Sequence, residues 1–337
     1  MKSFSLILAA SLCSHLFSQT PTPSQATQSR IEGTQRNQPA PITGQNGGSQ
    51  QSSGSDLSES DTGAQRPISL KKGGISAFFG FDSKYFYRDN PLSQPDENKL
   101  SIFETAMWTN TFFGGAGLGV FDFDDAIVTP YVGGSYAIND YLEDNLDILK
   151  LNYNSTSAYA LLLAQHSSGW SGRVGVSYAM DRSTEFDTED YSEYFPNIGV
   201  MKTYALGSDT VGIFDAYVGI HLSTIAAVDA PGTANDIPED NLDTLEFAAS
   251  YGLRHSIGDI TLFPKYLLSH KSFRNGQNSS RDDLTHILSI KADYPLADSL
   301  VISGFTGYTI RDSSGTTVNN DYENLDGGVG ITLTSRF

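Results

Sequence analysis

The stretch TVGIFDAYVGIHLS, at positions 210–223, decides the fold because its apolar side chains recur at every second position. The positions between them hold Asp215, Tyr217, Gly219 and His221. Side chains two residues apart share one face of a β-strand, so this stretch predicts a strand with one apolar face and one polar face. The apolar set is Phe214, Ala216, Val218, Ile220 and Leu222.

Similar segments recur along the rest of the chain. Alternation over about 10 residues is typical of transmembrane strands, in which lipid-facing and lumen-facing side chains alternate. The candidate strands lie near 74–88, 99–113, 126–138, 156–166, 169–180, 195–206, 210–223, 244–256, 259–271, 283–294, 299–310 and 324–337.

The second candidate strand leaves the strand count open. A glycine-rich stretch at 114–117 and the sequence FDFDD at 121–125 make the following turn too long for the scheme. The strand must either start later or continue through a glycine bend to Val120. Ten or fourteen strands are therefore alternatives to twelve.

The connections between the candidate strands alternate in length. Tight turns are expected at 167–169, 207–209, 257–258 and 295–298, and long polar loops at 139–155, 181–194, 224–243, 272–282 and 311–323. Outer-membrane barrels combine short periplasmic turns with longer extracellular loops. The sequence thus predicts an all-β protein, a transmembrane antiparallel up-and-down β-barrel of about 12 strands, in the bacterial outer membrane.

The first 70 residues differ in composition from the barrel. Lys2, an apolar run from Phe4 to Leu12 and small residues predict a signal peptide over 1–18, too short to span a bilayer. Residues 19–70 are rich in Gln, Ser, Thr, Pro and Gly, which predicts a disordered periplasmic segment. The barrel is expected over 71–337.

The last strand is predicted to end at an assembly signal. Phe337 is preceded by Leu333, Ile331 and Val329 at alternate positions, although Ser335 interrupts the series. The segment resembles the C-terminal strand through which outer-membrane proteins engage the barrel-assembly machinery. Outer-membrane lipids and this machinery are therefore expected partners.

Charge and cysteine content exclude several functions. The chain has 21 Lys and Arg against 39 Asp and Glu, for a net charge of −18, which argues against nucleic-acid binding. The single cysteine, Cys13, lies in the expected signal peptide. Disulfides, thiolate metal sites and a cysteine nucleophile are thus excluded from the mature chain, and no cofactor is expected.

Acidic residues cluster in the expected loops. At a pore mouth they would concentrate cations, while Ca²⁺ binding by loop carboxylates and simple solvation of the loops are alternatives. The expected loop acids are Asp181, Glu185, Asp187, Glu189, Asp190, Glu193, Asp236, Glu239, Asp240 and Asp243.

The polar faces of the strands predict the lumen lining. If the apolar faces point to lipid, side chains of both signs line the interior, which suits either a narrow aqueous path or a barrel closed by salt bridges. The expected lumen residues are Arg173, Asp215, His221, Glu246, Arg254, Lys265, Lys291 and Asp293.

Two short motifs resemble a known family. The run SKYFYR at 83–88 is similar to the opening of the TorF-like porin family, and WTN at 108–110 is similar to its W-[ST]-N motif. Asp89 stands where the family has glycine. The resemblance implies a channel without catalytic residues.

A hydrolytic site is a remote alternative. His270 and Ser272 share one strand face, and Asn275 or Asn278 could orient the imidazole, as in a barrel lipase. No G-x-S-x-G, H-E-x-x-H or P-loop motif is present, so an enzyme is not expected.

The favoured function is a porin for small solutes, biased to cations by its loops, and the alternative is a non-conducting surface, adhesion or structural protein.

Overall fold

The computed structural model describes residues 75–93, 95, 104–143, 151–187, 189–225, 240–315 and 320–337. The expected signal peptide and the segment 19–70 lie outside these residues. Within them, no helix is long and apolar enough to cross a membrane.

The described chain forms a closed antiparallel barrel. Twelve long strands each pair with two neighbours, and the ring closes where β1 pairs β13 and β2 pairs β4. The strands are β1 Ser76–Arg88, β2 Thr105–Gly117, β3 Phe121–Phe123, β4 Ala126–Tyr141, β5 Tyr153–His166, β6 Trp170–Ser183, β7 Glu189–Ala205, β8 Thr210–Ile225, β9 Thr244–Ile257, β10 Ile260–Phe273, β11 Asp282–Ala297, β12 Leu300–Ser314 and β13 Tyr322–Arg336.

The short strand β3 explains the ambiguous second strand. Gly117 pairs with Tyr131 and Phe121 pairs with Val128, so four steps along one chain match three along the other. Such an extra residue is a β-bulge, and Gly119 adopts a φ of 111° there. β3 therefore continues β2 through a glycine bend, and the prediction of twelve barrel strands is confirmed.

The two ends of the barrel differ in their connections. One end, called here the turn end, carries the tight connections 124–125, 167–169, 206–209, 258–259 and 298–299. The other, the loop end, carries 89–104, 142–152, 184–188, 226–243, 274–281 and 315–321. The expected loop 181–194 is too long, because β6 continues to Ser183 and β7 starts at Glu189.

The outer surface of the barrel is an apolar band between two groups of aromatic side chains. Ile198, Val200, Leu288 and Ile290 are exposed in the band. The aromatic side chains are Phe79, Trp170, Tyr204 and Tyr294 towards the turn end and Tyr87, Trp108, Tyr194 and Tyr308 towards the loop end. Aromatic girdles flanking an outward apolar band mark the two interfaces of a bilayer.

Candidate functional site

The inner faces of the strands form the candidate site. Inward-facing positions alternate with exposed ones along each strand, as in β8, where Asp215 and His221 are buried and Ile220 and Leu222 are exposed. Seven expected lumen residues are buried at inward-facing positions, and Arg254 is half-buried at another. The seven are Arg173, Asp215, His221, Glu246, Lys265, Lys291 and Asp293.

One buried ion pair crosses a whole strand. Arg173 on β6 bonds through both terminal nitrogens to the carboxylate of Asp215 on β8, with Nη2 donating to Oδ1 at 3.0 Å. Between them, a Cβ on Gly199 of β7 would lie 2.9 Å from the guanidinium carbon. Only glycine leaves room for the arginine there, and Tyr217 stacks on the guanidinium 5.5 Å from its ring centroid.

A second buried network lies nearer the loop end and is centred on His221. Its Nδ1 is 2.8 Å from Glu193 Oε2 on β7, and its Nε2 is 2.9 Å from Glu246 Oε2 on β9. Ser269 Oγ on β10 donates to Glu246 Oε1 at 2.5 Å, and Tyr191 Oη donates to Glu193. One hydrogen-bonded row therefore joins four adjacent strands.

Packing holds the imidazole of His221 in this row. The ring of Phe195 stacks on it with the centroids 4.1 Å apart and the planes at 20°. Phe195 fits because Gly219 has no side chain, since a Cβ there would lie 2.3 Å from the phenyl ring. The stacked ring fixes the plane of the imidazole between its two carboxylate partners.

Other inward-facing charges also pair along the inner surface. Lys84 Nζ lies 3.2 Å from Asp82 Oδ2, and Thr332 donates to Asp82 Oδ1 at 2.6 Å. Lys291 Nζ lies 3.0 Å from Asp293 Oδ1. At the loop end, Arg88 pairs with Asp326, while Arg281 and Arg311 both contact Asp283.

The inner faces of β2, β4 and β5 form an uncharged wall. No Asp, Glu, Lys, Arg or His occupies an inward-facing position of these three strands. A Cβ on Gly133 would lie 2.5 Å from Tyr159 Oη, so the Tyr159 side chain lies across β4 instead of pointing to the barrel axis. The wall is lined by Met107, Phe113, Tyr131, Tyr141, Tyr153, Tyr159, Leu161 and Leu163.

An ionic wall faces the uncharged one. In the ring of twelve strands, β2, β4 and β5 lie six positions from β9, β10 and β11, which is half the circumference. The inner faces of β9, β10 and β11 define the ionic wall. Its charged side chains are Glu246, Arg254, Lys265, Lys271, Asp283, Lys291 and Asp293.

Only part of the expected acidic cluster lies in a loop. Glu185 and Asp187 are exposed in the connection 184–188, where Asp187 pairs with Arg182 at 2.9 Å. The assignment of Asp181 and Glu193 to a loop is wrong, because both are buried on strands. Glu189 and Asp190 are likewise corrected, because they begin β7.

The expected loop acids between 236 and 243 also differ in their surroundings. Asp240 is exposed at the loop end, whereas Asp243 accepts hydrogen bonds from Ser223 N at 2.7 Å and Asn275 Nδ2 at 3.0 Å. Asp243 therefore joins the connection 274–281 to the end of β8. Asp236 and Glu239 lie outside the described residues.

His270 and Ser272 of the hydrolytic alternative lie on the outer face of β10 near the loop end, and Asn275 and Asn278 lie in the connection that follows. His270 Nε2 is 3.9 Å from Asp282 Oδ1, and both side chains are half-exposed. Asn275 bonds to Asp243 and Asn278 bonds to Asn241, so neither expected orienting residue is bonded to the imidazole.

The two motifs that resemble TorF-like porins meet on the outer surface. Ser83 pairs in register with Asn110 and donates to its Oδ1 at 2.8 Å, and Trp108 Nε1 donates to Ser83 Oγ at 3.0 Å. Close by in the sequence, Asp89 Oδ1 accepts the backbone N–H of Leu325 at 2.6 Å. The outward-facing residues of the two motifs thus join β1 to β2, whereas Lys84 and Phe86 of the first motif face inward.

The final residue belongs to the strand seam. Phe337 N donates to Ala77 O at 2.9 Å, and Ala77 N donates to Phe337 O at 3.2 Å. The Phe337 side chain is 81% exposed, and Leu333, Ile331 and Val329 are exposed on the same strand. These side chains, the apolar band and its aromatic girdles together form an outer surface suited to a lipid bilayer. The chain is an outer-membrane β-barrel.

No family model matches this sequence, and no curated protein matches it. Among solved structures, the translocator domain of autotransporter NalP from Neisseria meningitidis is 12% identical, with 79% of this chain and 90% of that chain covered and a TM-score of 0.42. An outer-membrane channel from Pseudomonas putida F1 is 9% identical, with 80% and 97% covered and a TM-score of 0.46. An anion-selective porin from Comamonas acidovorans is 8% identical, with 78% and 99% covered and a TM-score of 0.39. Because these identities and TM-scores are low, the assignment of the fold is based on the strand pairing described above and not on these similarities.

Sequence reasoning missed several members of the inner network. Ser269 and Lys271 on β10 face inward, and so do Asp82 and Lys84 on β1. Ser269 and Lys271 lie four and six residues after Lys265, so the two-residue period of a strand predicts that they share its inner face. Their partners could not be found in this way, because cross-strand contacts depend on register.

Proposed function

We propose that this barrel is a narrow channel for the passive diffusion of small solutes across the outer membrane. The observation that carries the proposal is the charged inner surface, which extends from Arg173 on β6 round to Lys84 on β1. Charged side chains are costly to bury in an apolar interior, and they favour a lumen that water and polar solutes can enter.

The proposed path is narrow. Barrels of about 8 strands are filled by side chains and those of about 16 contain an aqueous channel, so twelve strands lie between. Most inward-facing charged side chains here are buried by their neighbours. Solutes must therefore be small, and a single-channel conductance well below that of a general porin is expected.

Planar-bilayer recording of the purified barrel tests the proposal. Discrete conductance steps are expected in potassium chloride, and their size should change in Arg254→Ala, which removes a half-buried, inward-facing charge from β9. Lys202→Ala is the matched control, because Lys202 faces outward and stacks on Trp170 at 4.9 Å. Silent membranes that contain folded, inserted protein would contradict the proposal.

We further propose that the loop end biases entry towards cations. Glu185, Asp187, Glu189 and Asp240 are exposed there, and clustered carboxylates raise the local cation concentration. The reversal potential in a potassium chloride gradient measures this bias, which should fall when these four acids are replaced by their amides. Anion preference in the unmodified protein would contradict it.

A non-conducting anchor is the second candidate. Pairing of the inner charges along the barrel wall favours it, because internal salt bridges can close a barrel. In that case the loops would bind a partner, and the recordings above would stay silent. Deleting 184–188 would then abolish partner binding, whereas a channel would keep conducting with altered selectivity.

A further inference from the structure

The short strand β3 lies at the turn end, beside the path that β1 would follow if it began earlier in the chain. β3 continues β2, and β4 is its only strand neighbour within the described residues. The pairing of β1 with β2 ends where Ser76 lies opposite Gly117. A chain that continued β1 before Ser76 would therefore lie along the other edge of β3.

The register of β1 and β2 predicts which residues would meet on this edge. Continuing step for step from Ser76 and Gly117, Lys71 falls opposite Asp122. The β-bulge between Gly117 and Phe121 adds one residue to that chain, and if β1 does not match it, Lys72 falls opposite Asp122 instead. In both registers a lysine lies opposite the one acid of β3.

The charges on the two sides of this edge are complementary. Asp122 and the two acids of the following turn, Asp124 and Asp125, are exposed. Lys71 and Lys72, which lie outside the described residues, are the two basic residues that come last before β1. Opposite charges directly across an antiparallel pair stabilise the pairing.

The shortness of β3 favours a segment of the same chain as the occupant of this edge. Three residues offer few backbone hydrogen bonds, too few to offset the translational and rotational freedom that a separate protein loses on binding. Residues 71–74 are joined directly to β1, so they lose much less freedom by pairing. Gly73 and Gly74 can also follow the bend at Gly119, where φ is 111°.

We propose that residues 71–74 extend β1 along β3, with Lys71 or Lys72 paired with Asp122. The pairing anchors the chain that precedes the barrel at the rim of the turn end, beside β3. The segment 19–70 then leaves the barrel from this fixed point, on the side of the short periplasmic turns. This contact does not depend on the proposed channel function.

Limited trypsin digestion of the folded mature chain in detergent micelles tests the pairing. Trypsin cleaves after Lys and Arg, and strand pairing protects the backbone from cleavage. Cleavage after Lys71 and Lys72 should be about tenfold slower than cleavage after Arg36, which lies in the segment 19–70. Mass spectrometry of the barrel fragments over time measures these rates.

Two variants separate the charge pair from general shielding by the micelle. Asp122→Asn removes the charge opposite the lysines, so cleavage after Lys71 and Lys72 should become about twofold to fivefold faster. Asp209→Asn is the matched control, because Asp209 is also an exposed acid at the turn end. It should leave the rates unchanged, and cleavage after Arg36 should be the same in all three proteins.

Introduced cysteine pairs measure the proximity of the two segments directly. The expected mature chain contains no cysteine. Asp122→Cys is combined with Lys71→Cys, with Lys72→Cys or, as the control, with Gln65→Cys. A disulfide requires Cα atoms within about 7 Å, so one of the first two pairs should oxidise within single chains about tenfold faster than the control.

Cleavage after Lys71 and Lys72 as fast as after Arg36 in the unmodified protein would overturn the proposal. Equal rates of oxidation in the three cysteine pairs would overturn it as well. Disulfides that join two copies instead of forming within one would assign the edge of β3 to a second copy of the chain, and the proposed occupant would then be wrong.

Discussion

The Arg173–Asp215 pair gives the sharpest test of how dry the barrel wall is between β6 and β8. Both side chains are 2% exposed, and Asp215→Ala would leave a buried guanidinium without its carboxylate. Removing one partner of a buried pair costs about 3–5 kcal/mol, whereas an exposed pair is worth about 0–1 kcal/mol. We therefore expect Asp215→Ala to lower the free energy of unfolding by about 3–5 kcal/mol.

Denaturant unfolding of the barrel in lipid vesicles, followed by tryptophan fluorescence, measures this loss. Trp170 begins the strand that carries Arg173, so its emission reports on this part of the barrel. Arg182→Ala is the matched control. Its pair with Asp187 has side chains 50% and 86% exposed, and the expected loss is about 1 kcal/mol or less.

A loss below about 1 kcal/mol in Asp215→Ala would refute the reasoning, because it would mean that water hydrates the arginine as at a surface. The double variant Arg173→Met with Asp215→Leu sharpens the result. Replacing both partners by apolar groups is often neutral, so it should recover most of the lost stability. Failure to recover would indicate that packing, not charge, explains the loss.

Three further predictions follow from the same contacts. Gly199→Val should destabilise the barrel about as much as Asp215→Ala, because the new side chain occupies the path of the Arg173 guanidinium; denaturant unfolding checks it. His221→Ala should destabilise by about 3 kcal/mol or more by leaving two buried carboxylates together, and adding Glu193→Gln should restore part of this in the same assay. Deleting Phe337 should reduce the amount of folded barrel in outer membranes, measured by heat-modifiable gel migration, while replacing the neighbouring Arg336 by alanine should not.

The number of strands and the inward or outward orientation of their side chains could be predicted from the sequence, because the bilayer requires an apolar side chain at every second position. In 210–223 every second side chain must suit lipid, and the structure exposes Ile220 and Leu222 while burying Asp215 and His221. The sequence allows two interpretations of the second strand, and a glycine bend near Val120 is one of them. The pairing of Phe121 with Val128 distinguishes the two.

The site was less accessible to sequence reasoning. Asp181 and Glu193 are predicted to lie in a loop because acidic residues dominate that stretch. A strand end that lacks a clear apolar face has the same sequence pattern as a polar loop, so the pattern cannot distinguish the two. The partnership of His221 with Glu193 and Glu246 depends on register across three strands. Register is fixed by the pairing of whole strands and is not encoded in any short motif.

The seam between β1 and β13 joins parts of the chain that are made at different times. Thr332 bonds to Asp82 and Arg88 bonds to Asp326, across separations of 250 and 238 residues. Until the last strand arrives, β1 and β12 would each have an open edge able to pair with another chain. Closure therefore requires β13, and an unfinished chain must be kept from aggregating until β1 and β13 pair.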